Sequence, residues 1–487
     1  MKLKVKFLDW TAGRPVAILH KDTALKLNFH VNDRILIKKG KKKTIAVTDT
    51  AEEIVNQGEI AVSSEIINYL KLKKSEKVEI GFVSKPRSIE FIKKKSNKKP
   101  LKQNEIKTII KDIVNNALTE SEIAYFISSA YHNGMSMKET YYLTKAMVDT
   151  GSKLNLRGKI SDKHSIGGLA GNRTTPIVIS ICSAAGLKMP KTSSRAITSA
   201  SGTADVIETL AKVDFSIKEI KKIVKKTGAC LVWGGSLGLA PSDDKIIRVE
   251  RSINLDPESQ LISSIMSKKL AVCADYVLID IPYGNTAKVN KKQALHLKKK
   301  FEYMAKKFKI KLKVVLTSGR QPIGNGIGPV MEMQDVLLVL KNSNNAPEDL
   351  RKKSIFLSGQ LLELTKKSKK GKGEELAKEI LISGKAFKKF KEIIKAQRGR
   401  IKKLKRAKYH KDLNAKYSRT IKEIHNKKTN TLARILGCPI DKTAGIYFHK
   451  AAGDKVKKGE LLLTLYAASE DKLKDGLRYF RKNKIVK

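Results

Sequence analysis

Residues Lys163 to Gly186 read KHSIGGLAGNRTTPIVISICSAAG, and this block decides how the middle of the chain folds. After Thr175 and Pro176 comes an apolar run from Ile177. Thr suits an N-cap and Pro the first helical position, so the run is read as a buried helix whose N-cap is Thr175. The glycines at 167, 168 and 171 then form the loop leading into its N-terminus. Such an N-terminus presents backbone N–H groups without intrahelical partners at the positive end of the helix dipole, a setting that favours an anion. Lys163, Ser165, Thr174 and Thr175 add one cation and three hydroxyls, the donors an orthophosphate or phosphate ester uses. His164, between two of them, is a secondary candidate. A glycine-rich strand-to-helix turn with no ligand is the competing reading of the block taken alone.

Three further blocks extend this reading. KTSSRAITSASGTADVIETL, Lys191 to Leu210, is dense in hydroxyls, and Gly202-Thr203 opens another helix with Thr203 as N-cap and Asp205 in its first turn. RVERSINLDPESQLISSIMSKKLA, Arg248 to Ala271, places Asp256 before a helix on which Ser264 and Lys268 are four apart and share a face. Asp256-Pro257 equally fits a structural N-cap with Pro at the first helical position. IPYGNTAKV, Ile281 to Val289, is a glycine turn leaving a strand and carries Lys288. The GNGIG string at 324–328 precedes an apolar helix but lacks the βαβ context and ribose-binding acid of a dinucleotide site.

Working outward, residues 1–84 alternate apolar and polar at Leu3, Val5 and Phe7, and apolar residues recur at Val16 to Leu19, Ile35 to Ile37 and Ile45 to Val47, which predicts a β-rich domain. Lysines in the KKGKKK turn are read as discouraging edge-to-edge strand pairing. Lys93 to Lys102 is read as a basic linker. Residues 95–158 form a helical domain, with capping boxes at Thr119/Glu122 and Ser136/Glu139, and with parts of later helices packing on it. Residues 159–425 form a mixed α/β domain, with strands at Tyr276 to Ile281 and Lys313 to Leu316 and mostly amphipathic helix from 345. Residues 426–487 form a small α+β domain with turns at Gly453-Asp454 and Lys458-Gly459. The fold class is therefore multidomain α/β.

The chain has 487 residues, 41% of them hydrophobic, and a net charge of +53. The apolar fraction suits a folded enzyme, and its longest nearly apolar stretch is far short of the ~20 residues that cross a bilayer. A cytoplasmic location is expected. Four cysteines without a CxxC pair argue against a zinc ribbon or a disulfide framework, and no metal site is expected. The charge alone would suit an RNA-binding protein, but the excess is mostly Lys spread along the chain, not Arg and aromatic residues focused on one face, so a nucleic-acid partner is not expected.

The strings SSRAITSASGTADVIE, KHSIGG and SSIMSKKLA together resemble the thymidine and pyrimidine-nucleoside phosphorylase family across residues 95 to 487. KTSSRAITSA, NLDPE, a Gly-x-x-Ala-Lys-Val turn and the extra N-terminal domain resemble the archaeal branch that acts on nucleoside 5′-monophosphates. The resemblance implies phosphorolysis of AMP, and of other nucleoside monophosphates, to free base and ribose 1,5-bisphosphate in nucleotide degradation. Phosphate is then a co-substrate and no cofactor is implied. It also implies a nucleotide site between the helical and α/β domains, which close on each other, and a homo-oligomer built from dimers. Pyrimidine-nucleoside phosphorolysis is the alternative. Anthranilate phosphoribosyltransferases share the broad architecture but use magnesium, and the acid-rich site this requires is not evident in the sequence.

By motif matching, Lys163, Ser165, Thr175, Ser193 and Thr203 fall where family members hold phosphate. Gly168, Ser194, Arg195, Ala196, Ile197, Thr198, Ser199, Thr203, Ser264 and Lys288 match nucleotide-binding positions, and Asp256 matches the proton donor. Arg251 and Lys268 are secondary candidates. Lys288 and Arg195 are expected to meet the 5′-phosphate by charge. The chain departs from the family pattern in AGNR at 170–173, Ser201 and GNT at 284–286, which bears on fine loop geometry.

Overall fold

The computed structural model describes residues 1–196 and 199–487, which divide into two compact units, residues 1–151 with 240–264 and residues 152–239 with 265–487. In the first unit, the alternating N-terminal segments become six strands closed into a barrel: Lys2–Lys6, Val16–His20, Arg34–Lys39, Lys42–Ala51, Glu59–Val62 and Lys77–Phe82. Alternation puts Leu3, Val5, Ile35, Ile37, Ile60 and Ile80 into one core. The KKGKKK segment makes a hairpin with Lys39 opposite Lys42 and Gly40 at φ +54°. Closure leaves this strand pair no free edge, so the edge-protecting role read for its lysines does not apply.

Helices Ser88–Ser96, Gln103–Val114, Glu120–Asn133, Met137–Asp149 and Pro241–Ile253 follow in the same unit and share a core around Ile106, Ile110, Phe126, Leu143 and Ile246. Both capping boxes form: Thr119 with Glu122 and Ser136 with Glu139 exchange side-chain and backbone hydrogen bonds. The basic stretch expected to be a linker is instead largely ordered by pairing. Helix Ser88–Ser96 runs into it, Lys95 is buried against Glu139 at 2.9 Å, and Lys94 bonds Glu105 at 2.9 Å.

The second unit carries parallel strands which, in chain order, are Ser161–Ser165, Met189–Ser193, Ala229–Trp233, Tyr276–Tyr283 and Lys311–Ser318. The first, fourth and fifth form one sheet and the second and third another, all pairs parallel, and a bridge between Ile160 and Lys188 joins the two. The spatial order is therefore 3-2-1-4-5. Asp162 on the first strand is buried between Lys191 on the second, at 3.1 Å, and Lys269 of helix Glu258–Ala271, at 2.5 Å. Burial works to raise the Asp162 carboxyl, but the two ammonium charges outweigh it and the net shift is downward.

The amphipathic region after 345 forms helices Glu348–Leu364, Gly373–Ile382 and Lys385–Ala396, but it stops being helical there. Tyr409–Asn414 joins the C-terminal antiparallel sheet with Leu461–Ala467, Gly445–Phe448 and Gly326–Ile327, so the GNGIG segment supplies an edge strand of that sheet. Arg419–Thr420 pairs with Lys455–Val456, and helices Asn426–Leu436 and Glu470–Lys482 complete this part.

Candidate active site

In an open parallel sheet, ligands bind beyond the carboxyl ends of the strands, where the strand order reverses. Here that place lies between the first and fourth strands, and the loops leaving them touch. A Cβ on Gly168 would sit 2.6 Å from the Lys288 Cβ and 2.8 Å from its backbone nitrogen. Gly168 is also at φ +91°, so glycine is required there twice over. The two blocks carrying Gly168 and Lys288, read separately in the sequence, meet at this crevice.

Lys163 lies in the middle of the first strand, ahead of the loop that carries Gly168. It is fully buried, and its Nζ donates to Thr174 Oγ1 at 2.7 Å and approaches Thr175 Oγ1 at 3.5 Å. Burial drives its pKa down to about 7, opposed by Asp280 and aided by the charges of Lys353, Lys191 and Arg173. Burial, with Lys269 and Lys191 nearby, also holds His164 well below its usual value, so its ring is neutral at physiological pH. The Ser165 hydroxyl oxygen is buried with no protein hydrogen-bond partner. Since a buried polar group without a partner is costly, Ser165 marks a place suited to a ligand. Helix Thr174–Ala184 has no side-chain cap, because its N-cap residue is an arginine, whose side chain has no acceptor. It starts at Thr174, with Arg173 in the N-cap position expected for Thr175.

Arg173, read from sequence merely as a departure from a family pattern, links the two hydroxyl-rich loops. It donates to Glu332 at 2.7 Å, to Thr203 Oγ1 at 2.9 Å and to the Ser201 carbonyl at 2.9 Å. Glu332 also accepts from Ser201 Oγ and from Gly328 N–H. Burial raises the Glu332 carboxyl despite the opposing charge of Arg173.

The second loop is organised around its own acids. Gly202, not Thr203, is the N-cap of helix Thr203–Ile207, and Asp205 accepts from Gly202 N–H at 2.8 Å and from Ala196 N–H at 2.7 Å. Arg195 makes two 2.7 Å bonds to Glu208, a 3.2 Å contact with Asp205, and stacks over Trp233. Its hydrogen bonds to Glu208 raise the guanidinium pKa further, while Arg195 and Lys442 hold Glu208 down at about 2 against burial. Ser193 donates to the Val232 carbonyl and Ser199 to that of Ser201, and Ser194 is exposed. Ile197 and Thr198 lie outside the described residues.

Asp256 is exposed in the segment before helix Glu258–Ala271 and belongs to the first unit, as do Ser264 and Arg251, while Lys268 stands one turn beyond Ser264 on that helix. Among the described residues no group of three or more His, Cys, Asp or Glu side chains could hold a metal ion, and no helix is long and apolar enough to cross a membrane.

Residues 89–151 match the helical bundle domain of a glycosyl transferase family, residues 157–387 match its α/β domain, and residues 420–486 match the pyrimidine nucleoside phosphorylase C-terminal domain. The chain is 42% identical over 483 residues to AMP phosphorylase of Methanocaldococcus jannaschii, covering 98% of this chain and 96% of that protein. It is 41% identical over 493 residues to AMP phosphorylase of Pyrococcus furiosus, covering 100% and 98% respectively. A crystal structure of anthranilate phosphoribosyltransferase from Thermus thermophilus, 15% identical, aligns with a TM-score of 0.53 over 63% of this chain and 99% of that one, which speaks for the fold alone. On the full-length similarity, with these domains in order, the chain belongs to the AMP phosphorylase family.

Proposed function

We propose that this enzyme cleaves AMP, and other nucleoside 5′-monophosphates, with inorganic phosphate to give free base and ribose 1,5-bisphosphate. The observation that carries the reading is the buried Lys163 among Thr174, Thr175 and an unpartnered Ser165 hydroxyl at the crevice where strand order reverses. A phosphate dianion arriving there favours the ammonium form of Lys163 and supplies the acceptor that Ser165 lacks. Thr175, Ser193 and Thr203 are the other proposed phosphate contacts. Because Asp205 already places a carboxylate in the first turn of the second helix, that loop is proposed to contribute mainly hydroxyls.

In the reaction a phosphate oxygen bonds to C1′ as the C1′–N9 bond breaks and its electron pair leaves with adenine. The transition state has oxocarbenium character like that of glycoside cleavage. Asp256 is the proposed donor of the proton that neutralises the base at N7. The loop residues Gly168 and 194–199, with Thr203, Ser264 and Lys288, are the proposed nucleotide contacts. Lys288, by its charge and the family match at its position, and Arg195 are the proposed 5′-phosphate ligands.

A homo-oligomer built from dimers, working in the cytoplasm, completes the proposal. The test is base release from AMP, CMP, UMP, adenosine and thymidine with and without phosphate. Phosphate-dependent release from AMP is expected. Release confined to thymidine or another pyrimidine nucleoside would replace this reading with the alternative suggested by the C-terminal domain match.

A further inference from the structure

The loops of the crevice are tied together from a distant part of the chain. Asn426, the first residue of helix Asn426–Leu436, is fully buried. Its Oδ1 accepts from Ala170 N–H at 3.0 Å, and its Nδ2 donates to Thr286 Oγ1 at 2.9 Å and to the Gly319 carbonyl at 3.2 Å. These three partners lie in the loops that follow the first, fourth and fifth parallel strands. One helical turn on, Asn430 Oδ1 accepts from Ala200 N–H at 3.0 Å, in the loop after the second strand.

The chemistry requires an amide. One face of Asn426 meets a backbone N–H and the other a backbone carbonyl, so the side chain must accept on one side and donate on the other, and its two ends cannot be exchanged. A carboxylate would lose the donors, and a methyl would leave a buried N–H and C=O unpaired. Because Gly168 lies two residues before Ala170 and Lys288 two residues after Thr286, the amide fixes how closely those loops approach.

We propose that Asn426 and Asn430 are positioning residues of the reaction: two amides on one face of a C-terminal helix hold the phosphate loop, the hydroxyl-rich loop and the Lys288 loop in register. The inference rests on the phosphorolysis reading for its effect on turnover, but not for its effect on the loops. Misplacing reacting groups by a fraction of an ångström costs rate more than binding.

The experiment uses the full chain and its Asn426→Asp, Asn426→Ala and Asn430→Ala variants, with Thr286→Ala alone and combined with Asn426→Ala. Steady-state kinetics with AMP and phosphate should show kcat falling about 100-fold in Asn426→Ala, with both KM values changed less than about threefold. The double variant should lose no more than Asn426→Ala does. Hydrogen–deuterium exchange, read without any substrate, should speed up in residues 166–173 and 284–290 while the Thr174–Ala184 helix stays protected. Unchanged exchange in those loops, or faster exchange throughout the unit, overturns the inference. So does a loss confined to KM. If Asn426→Ala does not fold, Asn426→Asp and Asn430→Ala carry the same readouts. Wild-type protein that releases no base from AMP refutes the phosphorolysis reading, while the exchange result still decides the clamp.

Discussion

The two hydroxyl-rich helix N-termini look alike as strings of Ser, Thr and Gly, yet the fold finishes them differently. The one after Ser161–Ser165 has no acid in its first turn and no side-chain cap, and beside it are a buried lysine and an unpartnered serine hydroxyl. The one after Met189–Ser193 carries its own acids: Asp205 in its first turn accepts from Gly202 N–H, and Glu208 with Asp205 neutralises Arg195. An N-terminus with its own carboxylate has met the demand that an external anion would otherwise meet. Under the proposed function, phosphate capture would fall mainly to the first and loop architecture mainly to the second.

Arg173 bridges the two, so it offers the strongest way to break the contrast. Arg173→Ala leaves Glu332 buried without its cation and should cost about 3–5 kcal/mol of stability, measured by chemical denaturation. Adding Glu332→Gln should restore most of it; no recovery would mean that the guanidinium works through packing. Next, Lys163→Met should lower kcat/KM for phosphate by about 10²–10³-fold, while the melting temperature holds or rises because a buried charge is gone. Thr203→Val at the second N-terminus should cost far less, and equal losses would erase the distinction.

The third test is pH. Lys163 titrates near 7, and sulfate, unlike phosphate, keeps its charge across this range, so sulfate inhibition should be constant below pH 7 and weaken about tenfold per unit above it. Lys163→Arg should flatten the profile. The stability sign is opposite: the unfolded lysine titrates near 10.5, so between about 7 and 10.5 the unfolded chain binds more protons and this residue makes stability rise with pH. The smallest effect is expected from Glu208→Gln, which removes one of the two carboxylates on Arg195 in a partly exposed site and should shift stability by about 0.2–1 kcal/mol, read as a small change in melting temperature.

What the sequence revealed was local. The capping boxes at Thr119 and Ser136 are visible because both partners sit three residues apart, and the barrel strands because alternation needs no distant information. Lys163, Ser165 and Thr175 were legible as donors for the same reason. Arg173 was not, because its partners Thr203 and Glu332 lie 30 and 159 residues away. The stretch from Lys93 looked like solvated linker because the glutamate that buries Lys95 is 44 residues on. Asn426, 256 residues from Ala170, carries no motif at all.

That last separation has a consequence for synthesis. A ribosome finishes the strand ending at Ser318 well before it adds Asn426, so a growing chain can assemble its parallel sheet while the loops at the sheet's carboxyl edge still lack their tie. Activity in the nascent protein should therefore lag behind sheet formation and arrive once helix Asn426–Leu436 has emerged and docked.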